Sequence, residues 1–241
     1  MFDIRQLHKR YGAIAAVTDV SFVAADGTIT GLLGENGAGK TTTLGMMCGV
    51  LAPDSGSVVV DGSIAGGCED RRRIGALLDH TGLYPRLTAR ENIVYFGELQ
   101  GLRHPAVEQR VEEVLAVLDL NRIADRQART FSQGERVRVA IARTIVHGPR
   151  NVVLDEPTNG LDVPTVRALR ALLRRMRAEG RCVVFSSHVL AEVRELCDHI
   201  VILSKGRVAA QGSIDAICRA AGTSTLEDAF LTMTGRTELL V

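Results

Sequence analysis

No stretch of this 241-residue sequence approaches the ~18 consecutive apolar residues that span a bilayer, which excludes a membrane helix of its own. The first residues, MFDIRQLHKRYG, lack the apolar core of a signal peptide. There is no excess of either charge: 29 Lys and Arg against 28 Asp and Glu leave a formal charge of +1. A nucleic-acid binder carries a clear basic excess, so no nucleic-acid partner is expected. The five cysteines (Cys48, Cys68, Cys182, Cys197 and Cys218) are odd in number and never spaced C-x-x-C, which argues against a zinc site or a disulfide framework. Internal repeats, Pro/Gly/Ser-rich linkers and coiled-coil heptads are also missing. What remains, 46% hydrophobic and 24% charged, is the composition of a globular protein, and the expected location is the cytoplasm.

What is present alternates short β-branched runs with longer helical stretches, the texture of an α/β protein with a mainly parallel sheet. Strands are expected at Thr28–Leu33, Ser57–Val60, Ile74–Leu78, Val152–Leu154, Cys182–Phe185, Ile200–Leu203 and Val208–Gln211, with a turn at Gly206 between the last two. A helix is expected from Lys40 to Cys48. Thr88 and Glu91 form a capping-box pattern opening another helix through Leu99. Pro105 suits a helix start, followed by Val107, Val111, Val114, Leu115 and Leu118 on one face. No strand pattern occurs between Pro85 and about Val146, so a helical insertion, residues 82–147, interrupts the sheet. A second capping pattern, Ser224 to Glu227, opens a helix carrying Leu226, Phe230 and Met233 within a helical tail, residues 213–235. The whole chain, residues 1–241, reads as one domain.

The chemistry concentrates after the first of these strands. Gly34, Glu35, Asn36, Gly37, Ala38, Gly39, Lys40 and Thr41 fit the G-x-x-x-x-G-K-[ST] phosphate loop, with Thr42 next, between a strand and a helix. Glycines let backbone N–H groups turn inward and the helix N-terminus adds positive potential, so the loop favours a polyphosphate. Lys40 is expected at the β- and γ-phosphates and the Thr41 hydroxyl on Mg²⁺. The strand Val152–Leu154 ends in Asp155 and Glu156. The first carboxylate is the candidate Mg²⁺ ligand, and the second is placed to act as general base on an attacking water. Two acids at a strand end are otherwise an ordinary solvated terminus.

Together with four further motifs in order, the sequence resembles the nucleotide-binding subunits of ATP-binding cassette (ABC) transporters over nearly its whole length. Tyr11 looks like the aromatic that stacks on adenine. Phe131, Ser132, Gln133, Gly134 and Glu135 resemble the LSGGQ signature. Asn159 to Asp162 resemble the D-loop, and Ser186, Ser187 and His188 the switch-histidine segment. No Asn-Lys-x-Asp guanine motif is present. The resemblance implies a phosphate-loop NTPase core, an antiparallel β flank built by the N-terminal strands, and ATP with Mg²⁺ as cofactors. It also implies a head-to-tail pair, expected to be a homodimer, working with an integral membrane permease on the inner face of the membrane. In that arrangement Ser132 and Gly134 reach the γ-phosphate of the opposite chain, Asp162 shapes the interface and His188 contacts the γ-phosphate in cis. Ser132 is equally a good helix N-cap.

Two departures stand out. Asp79 occupies the place of the family's usual glutamine after the Ile74–Leu78 strand; it reads either as a Mg²⁺ and water sensor or as a loop acid. In the signature, Gln133 and Glu135 replace a glycine and a glutamine, and Glu135 brings negative charge to an anion-binding helix end. Asp79, the segment from Gly82 to Asn92, the Phe-Ser-Gln-Gly signature and the tail beginning at Ser224 resemble the sodium-efflux type of bacterial exporter ATPase. That resemblance makes the surface at Leu83–Leu87 the expected seat of the permease, with an exposed apolar loop as the plainer reading. Rival functions are a cassette ATPase outside transport and a nucleotide-binding regulator that no longer hydrolyses ATP.

Overall fold

The apolar strands divide two hydrophobic cores between their two faces. The computed structural model describes residues 1–64, 72–78 and 82–235. Its larger sheet has six strands in the order β10-β9-β3-β8-β7-β6. These are β3 (Ile29–Leu33), β6 (Ile74–Leu77), β7 (Asn151–Leu154), β8 (Cys182–Ser187), β9 (His199–Ser204) and β10 (Arg207–Gly212). All are parallel to their neighbours except β10, which returns antiparallel to β9. The turn between them holds Lys205 and Gly206 at φ 48° and 75°, the two left-handed residues of a tight hairpin. Every residue of β3, β7 and β8 is buried, as expected of central parallel strands covered on both faces.

Side chains alternate across a strand, and the burial follows that period. Ile29, Leu33, Val152, Leu154, Val183, Phe185, Ile200 and Ile202 face one core, among the helices. Leu32, Val153, Val184 and Val201 face the other, against α1 (Lys40–Met47) and the second sheet. That second sheet is antiparallel, in the order β2-β1-β4-β5, from β1 (Phe2–Tyr11), β2 (Ile14–Ala24), β4 (Ser55–Val60) and β5 (Ser63–Ile64). It contributes Phe2, Ile4, Leu7, Val20 and Phe22.

Between β6 and β7 lie α2 (Ala89–Leu99), α3 (Ala106–Val117), two short 3₁₀ turns and α4 (Gln133–Ile145). The Thr88–Glu91 capping box closes α2 in both directions. Val107, Val111, Val114, Leu115 and Leu118 are all buried on one side of α3. The chain then runs through α5 (Val163–Ala178), α6 (Leu190–Leu196), α7 (Ile214–Ala221) and α8 (Leu226–Met233). One expectation is corrected: α8 is capped one residue later than Ser224 to Glu227. Thr225 accepts from the Asp228 backbone N–H and donates to its carboxylate. Moving the cap by one residue keeps Leu226 and Ala229 on the buried face.

Candidate functional site

Three adjacent strands, β3, β8 and β7, deliver their carboxyl ends to one place, where open parallel sheets bind ligands. β3 runs into the phosphate loop. Gly39 sits at φ 99°, and a side chain there would meet the Ala16 carbonyl at 2.6 Å; one at Gly34 would meet the Leu203 carbonyl at the same distance. Both glycines are thus required by close backbone approach. The loop is pinned from outside, because Ala38 O accepts from the Gly206 N–H at 3.1 Å. Glu35, Asn36 and Gly37 remain exposed, while Ala38 and Lys40 are buried. α1 begins at Lys40, so Thr41 and Thr42 occupy its first turn, where the helix end carries positive potential. Lys40 Nζ donates to the carbonyls of Gly34 (2.7 Å) and Glu35 (3.2 Å), which holds the ammonium over its own loop.

β7 supplies two carboxylates. Asp155 Oδ2 accepts from Thr41 Oγ1 at 2.6 Å, and its other oxygen accepts from Ser186 Oγ on β8. Glu156 adopts φ 45°, a conformation costing a non-glycine residue on the order of 1 kcal/mol, and one that turns it sharply off the strand. Its oxygens divide between Lys40 Nζ (3.2 Å) and His188 Nδ1 (2.8 Å). The hydroxyl of Ser186 also accepts from the Glu156 N–H at 2.9 Å. Lys40, Thr41, Asp155, Glu156 and His188 therefore form one connected cluster. Thr41 and Asp155 present hard oxygen donors side by side, a set suited to Mg²⁺. Among the described residues no cage of three or more His, Cys, Asp or Glu side chains exists. That is compatible with Mg²⁺, which keeps waters and takes phosphate oxygens.

The remaining candidates lie elsewhere. Tyr11 is half exposed at the end of β1, beside the hairpin to Ile14. Ser132 caps α4: its hydroxyl accepts from the Glu135 N–H while Glu135 accepts from the Ser132 N–H. Arg126 pairs with the second Glu135 oxygen at 2.9 Å. Partial burial works against ionisation of Glu135, yet the Ser132 N–H and the Arg126 guanidinium hold its carboxyl below the usual range. The negative charge expected to face an incoming anion is consequently offset by a neighbour. Gly134 approaches Thr165, and Gly160 approaches Gln133, so the signature and D-loop adjoin within one chain. Among the described residues no hydrogen bond joins Ser132 or Gly134 to the phosphate loop. Asp162 caps α5 by accepting from the Thr165 N–H, and the Thr165 donors keep its carboxyl below the usual range. Asp79 lies outside the described residues. The sequence placed Ser186 in the switch-histidine segment without a role of its own, and held no signal for Arg126, which no motif contains.

Comparison with known proteins agrees with this geometry. The family described as ABC transporter matches residues 17–159. The ABC transporter ATP-binding protein NatA of Bacillus subtilis is 36% identical over 230 residues, covering 94% of both chains. The bacitracin transport ATP-binding protein BcrA of Bacillus licheniformis is 36% identical over 84% of this chain and 66% of its own. Among solved structures, an ATP-binding subunit of an ABC transporter superposes with a TM-score of 0.90 at 30% identity, over 97% of this chain and 99% of that one. A dimeric cassette in a post-hydrolysis state with ADP and Pi gives 0.81 at 26% identity, over 88% and 98%. This chain is an ATPase that belongs to the ATP-binding subunits of ABC transporters.

Proposed function

We propose that this cassette binds MgATP, pairs head-to-tail with a second copy, and drives export through a separate integral membrane permease from the cytoplasmic face. The observation that carries the reading is the cluster of Lys40, Thr41, Asp155, Glu156 and His188 within one chain, with Ser132 exposed and Gly134 half-buried on another part of the surface. Hydrolytic groups are thus built in cis, and the signature is left to meet the nucleotide of a partner. In this reading Lys40 neutralises the β- and γ-phosphates, and Thr41 and Asp155 hold Mg²⁺, which supplies charge neutralisation at the phosphates. Glu156 accepts the proton of the attacking water, while His188 holds Glu156 and reaches the γ-phosphate. Tyr11 stacks on adenine and Asp162 shapes the interface.

No helix among the described residues is long and apolar enough to cross a membrane. The permease of the proposal is a separate chain, seated on the loop before α2. There Leu83 is buried but Tyr84 is exposed, with Tyr84 and Tyr95 packed edge to face at 5.2 Å. Export rather than uptake is supported by relatives named for linearmycin resistance and Nod factor export. Sodium, another cation or a drug is the proposed cargo, from the resemblance of the Gly82–Asn92 and signature segments to sodium-efflux ATPases.

Glu156→Gln tests the core of this reading. The variant should bind ATP, lose at least ~100-fold in hydrolysis, and accumulate as an ATP-dependent dimer in size-exclusion chromatography. Full turnover would remove Glu156 from the role of base.

A further inference from the structure

Glu192 on α6 is 7% exposed, and no cation pairs with it among the described residues. A buried carboxylate is expensive unless donors satisfy it. Here two hydroxyls do so at one oxygen: Thr158 Oγ1 donates to Glu192 Oε2 at 2.7 Å, and Ser187 Oγ donates to the same atom at 3.1 Å. Ser187 Oγ in turn accepts from the Val189 N–H at 2.9 Å. Thr158 lies two residues after Glu156, and Ser187 immediately precedes His188. Because successive side chains on a strand point to opposite faces, Ser186 and Ser187 engage different partners. Ser186 fastens the β8 end to Asp155 and to the Glu156 backbone. Ser187 fastens it, through Glu192, to the loop that follows Glu156.

We infer that Glu192 is a positioning residue for hydrolysis: its carboxylate ties the Thr158 loop to the Ser187–His188 turn and so fixes the 2.8 Å contact between Glu156 and His188. The inference rests on the reading of Glu156 as the base and adds a second fastening to the one Ser186 supplies. A single tie would leave the two loop ends free to pivot about Asp155. With two ties, on opposite faces of the β8 end that leads into His188, Glu156 and His188 move as one unit. Glu192 touches neither nucleotide nor water in this scheme; it acts through the alignment of Glu156.

Steady-state ATP hydrolysis of the full chain across ATP concentrations tests this, with the unaltered chain as reference. Turnover by the unaltered chain bears on the proposed function; the ratio of variant to unaltered chain bears on the inference. Thr158→Val, which keeps the side-chain shape, and Glu192→Ala should each lower kcat about tenfold, while the ATP KM stays within about twofold. Glu192→Gln retains an acceptor oxygen and should recover most of the loss. The double variant Thr158→Val/Glu192→Ala should be no slower than Glu192→Ala, since both remove one link. If Glu192→Ala fails to fold, Thr158→Val and Glu192→Gln still decide. An unchanged kcat in Thr158→Val, a KM that rises as kcat falls, or a Glu192→Gln no better than Glu192→Ala would overturn the assignment.

Discussion

The strand-end cluster and the start of α4 are both polar, both built around an acidic side chain, and opposite in design. At the strand ends, Lys40 and Asp155 are buried and five side chains converge, two from the first turn of α1 after β3 and three from just beyond β7 and β8. At the start of α4, Ser132 and Glu135 bond chiefly to each other's backbones within four residues, and Ser132 faces solvent. The first region is assembled by tertiary structure and holds its charges ready. The second is assembled locally and completes nothing by itself. The catalytic candidates are thus pre-organised within one chain, whereas under the proposed function the signature waits on a partner.

Breaking the buried cluster should have the largest effect. Lys40→Ala removes the ammonium that bridges the loop carbonyls and Glu156, and should weaken ATP binding by about a hundredfold, near 3 kcal/mol. Calorimetric titration of the variant checks this; affinity within a few fold of the unaltered chain would mean that the loop backbone alone carries the phosphate.

The next effect concerns the far end of α4. Burial, with the Arg110 and Arg181 charges adding to it, pushes His147 down to about 4. Its folded-state value lies below the ~6.5 of an unfolded chain. The neutral ring therefore contributes stability in full above about pH 6.5, and that contribution is lost as pH falls toward 4. Chemical denaturation at pH 7.5 and 4.5 should show a loss on the order of 2 kcal/mol attributable to this group, and His147→Gln should flatten the slope. An unchanged slope would place the acid sensitivity elsewhere.

Ser132→Ala should cost about 1 kcal/mol of stability through the lost cap, while ATP affinity of the isolated chain stays as it was. Denaturation and calorimetry separate the two, and a drop in monomer affinity would erase the contrast between the regions. Glu135→Gln should have the smallest effect on folding, within ~0.5 kcal/mol, because glutamine also completes a capping box. It leaves Arg126 unneutralised beside the helix end, so the ATP-dependent dimer of the Glu156→Gln background should tighten. A weaker dimer would count against the electrostatic account.

Much of this was legible in the sequence where the signal is local. The phosphate-loop spacing, the capping boxes of α2 and α4, the apolar face of α3 and the central strands are written in neighbouring residues, and the observed ends differ from expectation by one or two positions. The α8 cap was missed by one residue because Ser224 and Thr225 both offer a hydroxyl three residues before an acid; packing of Leu226 and Ala229 chose between them. Arg126, Ser186 and Glu192 carried no local signal, since their partners are 9, 31 and 34 residues away in the contacts with Glu135, Asp155 and Thr158.

By itself the sequence determined which residue types stand at each strand end, because phosphate recognition demands a fixed spacing of glycine, lysine and threonine, and the ordered set of further motifs carried the family resemblance. Only the tertiary structure decided which of those ends meet. Strand order 9-3-8-7 places β8 between the phosphate loop and the acidic strand, so Ser186 and His188 reach groups that come before them in the chain. Such contacts depend on sheet order and on alternation across each strand, and neither is encoded in the spacing of any one motif.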